Sequence, residues 1–241
     1  MPERQKFQKE SAHTDRQRKQ LVAAVLLLLR RRARKLASQK IDPMLILGQL
    51  ARELRDHIYL GRREARRLAI ESLQLELKAV GYHGIIEWSG VLSEQEDLGE
   101  AVGAGRGYLN IVWKRYQENL VGGSDQDDAL DFAIKDSEKR LRVVAKTALL
   151  GAFAVERTTV QRQLVPEGEI VTTEQKGWAA VTLIQVWNVT WCKGTCDICE
   201  GLEHTWRPLL WSFPYGPPTL HPNCGCYIDF IPIAWAHDLA A

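Results

Sequence analysis

All five cysteines and six of the nine prolines in this chain fall between residues 192 and 232. Proline lacks a backbone donor and clashes with the helical turn before it, so that stretch cannot hold a long helix. Upstream, apolar residues recur at helical spacing as far as Gln163. The chain is therefore expected to be α+β, with a mainly helical body over residues 1–165 and a small β-rich, loop-rich module over residues 166–241.

Within the body, residues 12–38 read as one helix with a polar start and a basic end, which suits the negative helix C-terminus. Its run Leu21–Leu29, "LVAAVLLLL", is too short to cross a bilayer. It follows twenty polar residues and precedes "RRRARK", so it does not read as a leader. It is expected to be wholly buried, and the protein to work in a reducing compartment. Asp42-Pro43 has the form of an N-cap and first-turn proline. The pattern it opens (Leu45, Ile46, Leu50, Leu54) continues to residue 80. Gly81–Gly90 is a break, and Ser93–Glu96 has capping-box form, which suggests a short helix. Residues 105–121 form another helical stretch, and Ser124 is placed to cap the next one. A single long element is expected from Asp127 to Gln163. Residues 178–191, "WAAVTLIQVWNVTW", are β-branched and aromatic and read as one or two strands.

The net charge of +2 hides an asymmetry. Residues 1–80 carry 19 Lys+Arg against 9 Asp+Glu, and the remainder carries 13 against 21. Two basic clusters stand out: Arg30, Arg31, Arg32, Arg34 and Lys35, and then Arg62, Arg63, Arg66 and Arg67. On helices, Arg63 and Arg67 share a face, as do Arg62 and Arg66. Such faces can neutralise phosphates without reading sequence. Equally, they can pair with the acidic part of the same or another chain. No aromatics are interleaved with them, so base stacking is unsupported.

The cysteines have metal-ligand spacing. Cys196 and Cys199 form a CxxC pair, and His221 and Cys224 form a second pair three residues apart, giving a Cys₃His set for tetrahedral Zn²⁺. Cys226 is the alternative fourth ligand if the backbone kinks at Gly225; in an extended segment it points to the opposite face. Cys192 is taken as a spare thiol and His204 as a minor alternative ligand. A structural zinc contributes about 10–16 kcal/mol to small modules, which would suit a segment with few apolar runs of its own. Two other readings stay open: buried metal-free thiols, and a redox CxxC pair, which needs a helix start beside a βαβ unit. A catalytic zinc would need an open position and a base, for which Glu200 and Glu203 qualify by position only. The chain has no GxxxxGK[ST], GxSxG or HExxH, and "GAGRG" at 103–107 lacks a lysine.

The stretch "CDICEGLEH…GPPTLHPNCGC" resembles the C-terminal signature of phage minor head proteins of the Mu protein F-like head-morphogenesis family. Cys196, Cys199, Gly201, Leu202, Pro217, Pro218, His221, Pro222, Asn223, Cys224 and Cys226 match in order over about residues 185–230. The chain departs from that pattern at Gly225, where the family usually has arginine, and in having its glycine before Leu202. The resemblance implies a noncatalytic minor capsid protein at the portal vertex, assembled in the host cytoplasm and carried in the virion. It implies roles in procapsid assembly and in DNA packaging or ejection, with the portal protein and the major capsid or scaffolding protein as partners. Phage DNA is a further partner through the basic clusters, and no membrane is involved. The rival reading is a zinc-containing nucleic-acid-binding protein of regulatory or processing type.

Overall fold

The computed structural model describes residues 2–39, 41–79, 90–164, 183–189, 196–208, 213–214, 226–232 and 235. They are mainly helical, with a three-stranded sheet near the C-terminus. The helices are α1 (Pro2–Ala37), α2 (Pro43–Ala79), α3 (Gly90–Val121), α4 (Gln126–Asp136), α5 (Glu138–Leu164) and the short α6 (Asp197–Leu202). The strands are β1 (Leu183–Asn188), β2 (Trp206–Pro208) and β3 (Tyr227–Pro232). Among the described residues, no helix is long and apolar enough to cross a membrane.

These elements fall into two compact units. One comprises Met1–Arg18, Arg66–Trp88 and Leu150–Ala241; the other comprises Lys19–Ala65 and Ser89–Leu149. The boundary read from the sequence, at residue 165, lies inside the first of these. Three helices, α1, α2 and α5, contribute a segment to each unit.

The unit built from Lys19–Ala65 and Ser89–Leu149 is entirely helical among its described residues. Its buried stripes include Val25, Leu26 and Leu29 on α1, Leu50, Leu54 and Ile58 on α2, Tyr108 and Val112 on α3, and Leu141 and Leu149 on α5. Each such apolar side chain contributes roughly 1.5–3 kcal/mol by leaving water. Helices meet closely where side chains are small. A Cβ on Gly61 would lie 3.1 Å from Val25 Cγ2 and 3.3 Å from Leu149 Cδ1, so α2 passes α1 and α5 there closely enough that a methyl group would push those side chains aside by a few tenths of an ångström. The Leu21–Leu29 run is not wholly buried as expected. Val25, Leu26 and Leu29 face inward, while Leu27 and Leu28 are about half exposed (50% and 46%). Helical periodicity cannot hide nine consecutive residues against neighbours on one side only.

Local chemistry accounts for the element ends. Asp42 Oδ1 accepts from Met44 N–H at 2.8 Å, the cap its position before Pro43 implies. The capping box at Ser93 does not start a helix, because α3 has already begun at Gly90 and runs unbroken past four interior glycines. At its end, Gly123 takes φ +92°, Ser124 N–H bonds Asn119 O (3.1 Å) and Gly123 N–H bonds Leu120 O (3.0 Å). That is a Schellman closure. Ser124 is therefore used to end α3, and Asp125 caps α4 in its place by accepting from Asp128 N–H at 2.8 Å. The expected single element 127–163 is broken at Ser137, whose ψ of −1° turns the chain out of the helix. Its N–H reaches both Ala133 O and Lys135 O, and its own carbonyl accepts from Leu141, starting α5.

The first unit carries the sheet. β1 is central and antiparallel to both neighbours, in the order β2-β1-β3, with Gln185 opposite Arg207 on one side and Phe230 on the other. One face rests on helix residues: Trp187, Cys199, Leu202, Phe213, Cys226 and Ile228 cluster with Ile70, Leu73 and Leu77 of α2 and Val160 of α5. A second cluster joins Ile184, Val186 and Ile231 to Phe7 of α1 and Ala79 of α2. The C-terminal strands do not depend on an apolar core of their own, because helices from the first two-thirds of the chain supply one.

Candidate metal centre and the basic helix faces

Cys196 sits in extended conformation (φ −88°, ψ 154°) and N-caps α6, its Sγ accepting from Cys199 N–H at 3.4 Å. Cysteine thus takes the place that serine or aspartate usually holds. Cys199 is 1% exposed, and Cys226, just before β3, is 3% exposed. Both belong to the cluster around Trp187, and Cys196 packs against its edge. Cys226 therefore lies in the cluster that holds Cys199. His221, Cys224 and Cys192 lie outside the described residues. Among the described residues, no three His, Cys, Asp or Glu side chains are arranged to hold a metal ion. The donor chemistry present is soft sulfur, with one sulfur oriented by a backbone N–H and two in the buried cluster of Trp187. That set suits zinc better than magnesium or calcium.

Among the aromatics near these cysteines in sequence, Phe213 meets Trp187 edge-on with ring centroids 5.1 Å apart, while Trp206 is 46% exposed. Trp191, Trp211 and Tyr215 lie outside the described residues. His204 is exposed and holds a left-handed φ of 58°, with its N–H bonded to Trp187 O at 2.9 Å. Glu200 is exposed and Glu203 half-buried. The CxxC pair does open a helix, as a redox pair would, but the described sheet is antiparallel throughout and offers no βαβ unit.

The basic clusters divide by direction. Arg62 is buried, its Nε on Asp97 Oδ1 at 2.8 Å and its Nη1 on Ala148 O at 3.0 Å. Arg66 is buried on Glu156 at 2.6 Å. Both therefore serve the interior of their own units. Arg63 and Arg67 face outward, Arg63 3.7 Å from Glu94 and Arg67 on Glu71 one turn along. In the first cluster, Arg34 bonds Glu138 (Nε–Oε1 3.0 Å), Arg30 approaches the same carboxylate at 3.9 Å, and Arg32 lies 3.8 Å from Glu53. Arg31 and Lys35 are exposed and form no ion pair among the described residues. Acidic residues beyond residue 80 (Glu94, Asp97, Glu138, Glu156) thus answer much of the basic first third.

Comparison with family models, curated proteins and solved structures finds no match.

A further group of charges was missed in the sequence. Arg157 is 1% exposed and donates Nε to Ile228 O (2.9 Å), Nη1 to Ser72 (3.3 Å), and Nη2 to both Glu76 and Asp229, the latter at 2.6 Å. Asn188 donates to the other Asp229 oxygen at 2.6 Å. Burial, then the nearby Glu76 charge, push the Asp229 carboxyl up to about 7, against the pull of Arg157. Burial and Asp229 also push the Tyr227 phenol far up, so it stays protonated beside Ser11 Oγ at 3.2 Å. The signal was a charge inside each apolar run: Glu76 between Leu75 and Leu77, Glu156-Arg157 in "AFAVERTTV", and Asp229 between Ile228 and Phe230. Charges at such positions are rarely buried unless paired.

Proposed function

We propose that this chain is a noncatalytic minor head protein of a tailed phage, of the Mu protein F-like head-morphogenesis type. In this reading it sits at the portal vertex, contacts the portal and the major capsid or scaffolding protein, and serves procapsid assembly and DNA packaging or ejection. The observation that carries the reading is the treatment of the signature cysteines. Cys196 caps α6 through its sulfur, and Cys199 and Cys226 enter one buried cluster that ties the sheet to α2 and α5. A signature placed this way serves architecture, which is what a capsid component needs.

Zn²⁺ is proposed at Cys196, Cys199 and Cys224, with His221 or Cys226 as fourth ligand. Bound there, it would supply a structural cross-link between the start of α6 and the segment leading into β3. The chain's own contribution is to hold Cys196 by its N–H bond and to bury Cys199 and Cys226 away from oxidants. The rival reading, a nucleic-acid-binding regulatory protein, is weakened by the ion pairing of Arg30, Arg34, Arg62 and Arg66 within the chain. Arg31 and Lys35, exposed in the first cluster, remain for a phosphate contact.

The test is metal content of protein purified without chelator, alongside Cys196→Ser, His221→Ala and Cys226→Ser, followed by co-assembly with portal and capsid rings. One zinc per chain that is lost in Cys196→Ser, together with incorporation into rings, supports the proposal. Tight binding to short duplex DNA with base preference, and no incorporation, would replace it with the rival.

A further inference from the structure

The unit that carries the sheet holds a cavity of about 320 Å³, at the small end of ligand pockets, which run to roughly 300–1,000 Å³. Part of its wall is apolar. Phe7 and Trp235 meet edge to face with centroids 5.8 Å apart, and Val186 and Ile231 of the sheet continue that surface. The rest is polar and carries Asp15, Asn188, Tyr227 and Asp229. His204 is the one basic lining residue among those described, and its side chain is 47% exposed.

The charges around this wall do not balance. Asp15 pairs with Arg18 at 3.1 Å, and Arg18 lies over the Phe153 and Tyr227 rings at 4.5 and 4.6 Å, behind the cavity. Asp229 shares Arg157 with Glu76. Three carboxylates thus face two guanidinium groups, leaving one negative charge over in a buried setting, where an uncompensated charge is costly. Two observations show the deficit. Glu76 Oε1 is buried with no hydrogen-bond partner among the described residues, and burial together with the Glu76 charge pushes the Asp229 carboxyl up to about 7. Neither Arg18 nor Arg157 lines the cavity, so the charged groups of their networks presented there are the carboxyls of Asp15 and Asp229. A cation entering from the cavity side would meet the acceptors and restore the balance.

We propose that this cavity binds an ammonium or guanidinium group carried on a short apolar stem, with the cation against Asp15 and Asp229 and the stem against Phe7 and Trp235. A free alkylamine and a lysine side chain of a partner share that chemistry. An anion is excluded by the two carboxylates, and a purely apolar ligand would leave their charge unanswered.

The experiment is a titration of the full chain, followed by calorimetry and by tryptophan fluorescence, with n-butylammonium, neutral n-butanol, pentanoate and a pentapeptide bearing one central lysine. Butylammonium is expected to bind at least roughly tenfold more tightly than butanol, and pentanoate not at all. Asp15→Asn, at a residue only partly buried, should weaken butylammonium roughly tenfold while keeping the circular dichroism spectrum. Ala12→Trp, which fills the cavity from α1, should abolish binding. A peptide that binds tenfold more tightly than butylammonium assigns the site to a partner's lysine, and equal binding assigns it to a free amine. Butanol binding as well as butylammonium, or an Asp15→Asn variant that binds undiminished, overturns the proposal. So does the absence of saturable binding by either cation.

Discussion

The two units reach stability by different routes. The all-helical unit buries aliphatic stripes at regular spacing and admits one well-satisfied ion pair, Arg62 with Asp97. The sheet-bearing unit buries Arg66 with Glu156 and, beside them, the larger Glu76–Arg157–Asp229 group. Regular hydrocarbon packing is tolerant and local. A buried charge group is directional and fails as a whole when one member leaves. The contrast teaches that the part of this molecule built from distant chain segments is also the part specified by polar geometry.

Arg157→Met is the largest way to break that contrast. It strands Glu76 and Asp229 without their cation and should cost about 3–5 kcal/mol, read as a fall in the urea midpoint. Leu54→Ala, at a fully buried position of the other unit, removes only hydrocarbon and should cost about 2–5 kcal/mol. The sharper difference lies in rescue. Adding Glu76→Gln and Asp229→Asn to Arg157→Met should recover much of the loss, whereas no polar change restores Leu54→Ala. Failure of the triple variant to recover would show that the charges do not act as one group.

A smaller effect follows from pH. The folded-state carboxyl of Asp229 titrates at about 7, above its ordinary 3.8, because burial and Glu76 oppose its charge more than Arg157 and Arg18 support it, with Asp15 adding further opposition. The folded protein therefore holds this proton more tightly than the unfolded chain, and this group's contribution to stability falls as pH rises from about 4 to about 7. Subtracting the profile of Asp229→Asn isolates that contribution. The difference between native and variant should decline across that window, and a rising difference would mean that Arg157 dominates the site. Asp125→Ala is the smallest change. Losing the α4 cap should cost about 1 kcal/mol, seen as a modest drop in thermal midpoint with no change in the pH profile.

Legibility in the sequence followed the same division. The helices of the second unit were readable because Leu50, Leu54 and Ile58 repeat at 3.6-residue spacing and Asp42-Pro43 marks a start. β1 was readable from "LIQVWN". The break at Ser137 was not, since apolar spacing continues across it and a change of one ψ angle leaves no compositional trace. Nor were the sheet's packing partners visible. Nothing in Ile70, Leu73 or Val160 says that they will meet Trp187 and Cys199. The expectation that a cysteine-rich module needs a metal because it lacks a core treated residues 166–241 as a separate body, and long-range contacts are what sequence periodicity cannot show. The basic clusters were legible as charge but not as direction, so Arg62 and Arg66 looked like surface until their buried acids were seen.

The discontinuity of the sheet-bearing unit sets an order of events during synthesis. Its helical parts from α1, α2 and α5 are all made before β1 and β3. On a ribosome, Ile70, Leu73, Leu77 and Val160 are exposed until the last strand emerges, while the other unit is complete in sequence by Leu149. Contacts of such high sequence separation form late and slowly, and the waiting apolar surface is open to association meanwhile. A polypeptide released early near residue 165 would keep that surface uncovered. For this unit the strands thus act as the closing step of folding, a seal that arrives after the surface it covers.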